Sequence, residues 1–168
     1  DYDKALKAIK DAGLDSPTMR VSYQKVAFFR ATEMFNALQF EGALNQYAEM
    51  QRYPEDKALA NLGNYWMAEC YYRLLKYAEA KSKFDEFRQG FGASIQNIHN
   101  RSYYNSAYCN FKLFDFEDAI LDFKNFVKFS SIEDMRYPDA LLRIGDSYLL
   151  NAKYLDAADY YGKAITNN

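Results

Sequence analysis

The chain has 168 residues, 49% hydrophobic and 26% charged, which is enough apolar content to bury a core and argues against a disordered segment. A formal charge of −2 speaks against a bulk electrostatic grip on nucleic acid or anionic lipid, and no apolar run approaches the roughly 18 residues of a membrane span. Two cysteines, Cys70 and Cys109, are too few for a disulfide scaffold, and no C-x-x-C pair is present for zinc or redox chemistry.

Only 3 Pro and 7 Gly interrupt long periodic runs, a pattern of helices rather than of many short strands. In chain order, residues 2–12 predict a helix stopped by Gly13, and Ser16-Pro17 opens the next, with proline tolerated in a first turn. Helices then follow over 17–38 and 40–52, 56–75 and 77–89, 97–113 and 116–129, and 138–151 and 154–166. Short polar turns join each pair: Leu38-Gln39, Leu75-Lys76, Phe114-Asp115 and Ala152-Lys153. No internal linker stands out, so the expectation is one solenoid domain over 1–168, with repeats at 17–53, 54–90, 95–130 and 137–168 after a leading half repeat. Because the chain opens in mid-repeat and neither end carries a polar capping helix, a longer parent array or pairing of the bare ends into a homodimer is expected.

Ala5, Ala43, Ala80, Ala119 and Ala157 follow one another at intervals of 38, 37, 39 and 38 residues. Three residues before each stands an aromatic, Tyr2, Phe40, Tyr77, Phe116 and Tyr154, and four after each stand Ile9, Tyr47, Phe84, Phe123 and Tyr161. These offsets place large, small and large side chains on one helical stripe, the alanine admitting a close neighbour. Upstream, Ala31, Ala68, Ala107 and Gly145 form a second small series, and Met34, Tyr71, Asn110 and Tyr148 a series of large positions from which Asn110 departs.

This combination of small, large, aromatic, alanine and aromatic positions resembles the tetratricopeptide repeat. The resemblance covers nearly the whole chain and implies an all-α, right-handed superhelix of antiparallel helix pairs, an α-solenoid. The family's period is 34 residues, and the excess here falls after each second helix. In that respect the chain looks like the repeats of bacterial cell-envelope proteins, the Tol-Pal-associated protein and outer-membrane assembly lipoproteins, which implies a periplasmic setting; composition alone leaves the compartment open.

In such a superhelix one side of each first helix lines the concave groove. Positions fifteen, eleven and eight before each alanine lie within roughly 60° of one another on a helical wheel. They read Phe28, Thr32 and Phe35, then Tyr65, Glu69 and Tyr72, then Tyr104, Tyr108 and Phe111, and finally Leu142, Asp146 and Leu149. A groove rich in aromatics suits an amphipathic partner surface, with three such anchors consistent with micromolar binding. Aromatics there also fit a core between successive first helices, and the two readings stand side by side. Nearby charges are Lys25, Arg73, Arg101 and Lys112 against Glu69, Asp139 and Asp146. The lysine and asparagine that clamp a C-terminal carboxylate in chaperone-adapter members are replaced by Phe28 and Thr32, so that activity is not implied.

Catalysis finds little support. His99 is the lone histidine, the cysteines occupy equivalent packing positions, and no glycine-rich phosphate loop exists. Carboxylates such as Asp118, Asp122, Asp156 and Asp159 read as the solvated side of second helices. Asn100-Arg101-Ser102 fits a glycosylation sequon. The sequence therefore predicts a non-enzymatic scaffold, without cofactor or metal, that holds a protein or peptide in the groove. Weaker alternatives are a glycan-binding accessory, self-association through the ends, and single-strand stacking, which the net charge disfavours.

Overall fold

The computed structural model describes residues 1–95 and 98–166, and every regular element among them is helical. The chain forms two compact units, residues 1–95 and 96–168. The first holds α1 (Tyr2–Ala12), α2 (Pro17–Asn36), α3 (Phe40–Met50), α4 (Lys57–Arg73), α5 (Tyr77–Gln89) and a short 3-10 turn, Ala93–Ile95. The second holds α6 (His99–Lys112), α7 (Phe116–Phe129), α8 (Arg136–Leu150) and α9 (Tyr154–Thr166). Within the units α2 packs on α3, α4 on α5, α6 on α7 and α8 on α9, while α3 meets α4 and α7 meets α8. This is the alternating packing of an α-solenoid.

Local chemistry sets the helix ends. Ser16 Oγ and Asp56 Oδ1 accept from the N–H groups of Met19 and Leu59 at 3.2 and 2.9 Å, each satisfying a donor the first turn leaves open. The first helix of each pair stops two residues short of, or one before, the expected end because Leu38, Leu75, Phe114 and Ala152 have φ of 57 to 62°. At each such residue the chain closes with two bonds: Leu75 N–H to Tyr72 O and Lys76 N–H to Tyr71 O, repeated at Leu38, Phe114 and Ala152. This is the Schellman arrangement, with leucine, phenylalanine and alanine where glycine is usual. α8 begins two residues before its expected start, so Pro138 occupies the third position, where a missing N–H costs nothing. The expected start of α6 at residue 97 lies outside the described residues.

The alanines of the spacing pattern do what their size suggests. Ala43, Ala80, Ala119 and Ala157 are buried, as are Ala31, Ala68, Ala107 and Gly145 facing them. In the first unit Ala31 and Ala43 pack with Tyr23, Tyr47 and Met50, and in the second Ala107 and Ala119 pack with Phe123, Phe126 and Ile144. A second device is an amide nineteen residues before the alanine: Gln24, Asn61 and Asn100. Gln24 Nε2 donates to Asp56 O and its Oε1 accepts from Asp56 N–H, both at 2.9 Å. Asn61 Nδ2 donates to Phe87 O and Phe91 O at 2.9 and 3.3 Å. Asn100 Nδ2 donates to Phe126 O and Ser130 Oγ at 3.2 and 2.7 Å. Gln24 thus holds the residue that caps α4, while Asn61 and Asn100 hold the backbone that leaves α5 and α7, satisfying carbonyls that a helix end otherwise orphans.

One expectation is corrected by burial. Asp122, read as a solvated carboxylate, is 9% exposed and accepts from Ser106 Oγ at 2.7 Å and Asn110 Nδ2 at 3.1 Å. This polar trio replaces the large apolar residue missing at Asn110. The sequon is equally committed, since Asn100 spends its amide nitrogen on Phe126 and Ser130.

Candidate functional site

The face of the first helices is positioned by the alanine crossings beneath it, and its aromatics divide by depth. Tyr65 is 1% exposed and packs edge-on against Phe84 and Phe87 at 5.6 and 5.4 Å, so it belongs to the core rather than to an open groove. Phe28 and Phe35 are half-buried. Phe28 meets Tyr47 at 5.6 Å, and Phe35 sits between Phe40 and Trp66 at 5.4 and 5.3 Å. Tyr72 is half-buried against Tyr77, with the Arg73 guanidinium 5.7 Å from its ring. Arg73 is exposed and pairs with the buried Glu69 at 3.6 Å. These residues form the face of the first unit.

In the second unit Tyr104 and Tyr108 are half-buried, their rings against Phe123 and, for Tyr104, Phe126. Both hydroxyls donate to Asp139 Oδ2, at 2.8 and 2.5 Å, which ties α6 to α8. Arg143 Nε lies 3.5 Å from Asp139 Oδ1, and Arg143 also donates to Asp146 at 2.5 Å. Asp146 in turn accepts from the Tyr161 hydroxyl at 2.9 Å. The two carboxylates at the acidic end of the expected groove thus share one guanidinium and are otherwise held by neutral hydroxyl donors. Burial, followed by the hydrogen bond to Asp139, raises the phenol pKa of both Tyr104 and Tyr108. Phe111 is half-buried against Phe116 at 5.5 Å, Lys112 is exposed, and Arg101 lines a pocket of about 300 Å³.

That pocket was not anticipated beyond Arg101. Ile98 just before α6, Asn100 and Arg101 of α6, Phe126 and Phe129 of α7, and Ser130, Ser131, Asp134 and Arg136 after it form its walls. Asp134 Oδ1 accepts from the Arg136 guanidinium at 3.2 Å and from its backbone N–H at 2.9 Å, which fixes Arg136 at the start of α8. The sequence signal was the apolar and serine-containing connector after α7, which looks in the sequence like repeat excess.

Elsewhere little chemistry is assembled. Among the described residues no group of three His, Cys, Asp or Glu is placed to hold a metal ion. His99 rests against Tyr103 at 5.7 Å. Cys70 and Cys109 are fully buried, and burial pushes the Cys70 thiol up to about 12, away from nucleophilic use. No helix among the described residues is long and apolar enough to cross a membrane.

The tetratricopeptide repeat family model matches residues 64–94 and 139–168, the segments that carry α4–α5 and α8–α9. No curated protein matches the sequence. Among solved structures, BtubC from P. vanneervenii superposes with a TM-score of 0.76 at 13% identity, over 99% of this chain and 70% of that one. A putative kinesin light chain from Podosopora anserina with TPR-like repeats gives 0.73 at 12%, over 99% and 83%. MamA from Desulfovibrio magneticus RS-1 gives 0.70 at 11%, over 99% and 92%. At these identities the likeness concerns the fold. Taken with the helix pairs and the small-residue crossings, it shows the fold of an all-helical α-solenoid, two segments of which are similar to the tetratricopeptide repeat.

Proposed function

We propose that the chain is a non-catalytic scaffold that binds a segment of a partner protein on the faces of its first helices. The observation that carries this reading is that the first helices of each unit carry half-buried aromatics and an exposed cation: Phe28, Phe35 and Tyr72 with Arg73 over the Tyr72 ring in the first, and Tyr104, Tyr108 and Phe111 with Lys112 on the same helix in the second. Rings anchored on the core below and accessible above offer contact area at small entropic cost, and a cation at the rim selects orientation. Tyr65 is left out of this site because it is buried. On the long repeat period, the setting proposed is a bacterial cell envelope.

A photo-crosslinking amino acid placed at Arg73 or Lys112, and as controls at the exposed second-helix positions Glu79 and Asp118, tests this in the source organism. Discrete protein adducts from Arg73 and Lys112 and none from the controls are expected. Adducts from the controls alone, or equally from all four positions, would move the interaction to the opposite face.

A further inference from the structure

We propose that the exposed face of α8 is a docking surface for an amphipathic helix of the partner that places a lysine or arginine between aliphatic side chains. The inference rests on the scaffold reading and assigns the chemistry of one subsite. Leu142, Leu149 and Leu150 are 39%, 46% and 58% exposed on α8, and Asp139, Arg143 and Asp146 lie half-buried among them. At 100° per residue all six fall within about 120° of the helix circumference. The position seven residues before the repeat alanine holds the exposed cations Arg73 on α4 and Lys112 on α6. On α8 the same position is Leu150, and carboxylates set the charge of the face instead.

Charge complementarity names the occupant. Asp139 and Asp146 share the guanidinium of Arg143, at 3.5 and 2.5 Å, and their other partners are the neutral hydroxyls of Tyr104, Tyr108 and Tyr161. Two carboxylates against one guanidinium leave the face with about one negative charge. Capacity remains at Asp146, whose two oxygens accept one donor each where a carboxylate can take about four. The fold also supplies a template for the geometry. Tyr108 and Asp146 both stand eleven residues before their alanine, and from that position the Tyr108 hydroxyl donates to Asp139 on the following first helix. At Asp146 the donor has become an acceptor, so a helix lying on α8 has to bring the donor. Asp146 falls four residues after Leu142 and three before Leu149, a stretch of about 10 Å. An aliphatic residue, a cation and a second aliphatic residue at successive three- or four-residue intervals match it, the stem of the cation lying along the leucines while its charge reaches the carboxylate.

A display library of helix-forming peptides, randomised along one face, is selected against the whole gene product, so that a segment of its own chain lying on α8 reads out as no selected peptide. Selected peptides, synthesised with both ends capped, are then titrated by calorimetry against the native protein and against Asp146→Asn, Leu149→Ala, Asp156→Asn and Phe111→Ala variants of equal helicity. The expected result is enrichment of Lys or Arg with Leu, Ile or Val three or four residues to either side. Affinity should fall roughly tenfold or more when that cation becomes glutamine or when Asp146 becomes asparagine, the value of one charge-assisted contact. It should fall as well on Leu149→Ala, whereas Asp156→Asn, an exposed acid of α9, should leave these peptides unaffected. Peptides without basic enrichment, basic peptides indifferent to Asp146 and Leu149, or no selected peptide at all would overturn the α8 surface. A dimer in sedimentation that Leu149→Ala dissolves would give the face to a second copy and overturn it equally. Peptides lost on Phe111→Ala but retained by Asp146→Asn and Leu149→Ala would reject the α8 surface while keeping the helix-face reading.

Discussion

A β-carbon added at Gly145 would stand 2.6 Å from the Tyr161 ring, whereas one added at Gly162 meets nothing within 4 Å. Both glycines lie inside helices, where alanine is ordinarily favoured by about 0.5–1 kcal/mol. Gly162→Ala should therefore raise the melting temperature, and Gly145→Ala should lower it, overpacking costing about 1–3 kcal/mol of stability as Tyr161 is pushed from Asp146. Thermal denaturation of the two variants reads the opposite signs directly. A different relief is available at Leu75, whose side chain is 70% exposed on a backbone with φ of 60°. Leu75→Gly should gain about 0.5–1 kcal/mol, the left-handed penalty less the added freedom of the unfolded chain. Urea titration would show the midpoint rising with an unchanged slope.

At the scale of elements, each helix was legible because alanine, aromatic and small residue recur at fixed offsets, and the observed bounds differ from the expected ones by two residues or fewer at most ends. Where they differ, the cause is a backbone state that apolar residues do not advertise: Leu38 and Leu75 look like helix interior but occupy the left-handed region. The amide series was present in the sequence, since Gln24, Asn61 and Asn100 share one offset, but its meaning depends on which carbonyls lie across the pair. The depth of the groove aromatics was not legible. Phe28, Tyr65 and Tyr104 share a position on the helical wheel, and only the placement of neighbouring helices makes Tyr65 core and leaves the other two half-buried. Asn61→Ala should cost about 1–3 kcal/mol, because the carbonyls of Phe87 and Phe91 lose a donor, and hydrogen exchange should quicken first at the end of α5.

For the whole molecule, the titratable groups held by burial set an alkaline limit. Cys70, Tyr47, Tyr104 and Tyr108 all keep their protons longer when folded, mainly because burial disfavours the charged form. A folded pKa above the unfolded one means that the stabilisation is complete below the unfolded values of 9.0 for the thiol and 10.0 for the phenols. It is lost as pH rises through the folded values, about 12 for Cys70. The melting temperature should accordingly be flat in this respect up to about pH 9 and fall above it. At pH 8 a thiol reagent should leave Cys70 and Cys109 unmodified in the native protein and react with both after denaturation.

The amides of Gln24, Asn61 and Asn100 also decide where the chain can change length. Asn61 and Asn100 fasten the backbone just after a second helix, and Gln24 fastens the residue that caps the next first helix, so residues added outside the fastened points need not disturb the crossings. In the second unit the fastening reaches Ser130, and the residues after it are held only by short-range bonds, Glu133 N–H to Ser131 Oγ and Arg136 N–H to Asp134 Oδ1. A short glycine-serine insertion after Ile132 should shift stability by well under a kcal/mol, since loop length enters only logarithmically, whereas the same insertion between Phe126 and Ser130 should be severe. Uneven spacing between repeats is thus a tolerance built into one side chain in each of the first three pairs, and it lets connectors diverge while the helices keep step.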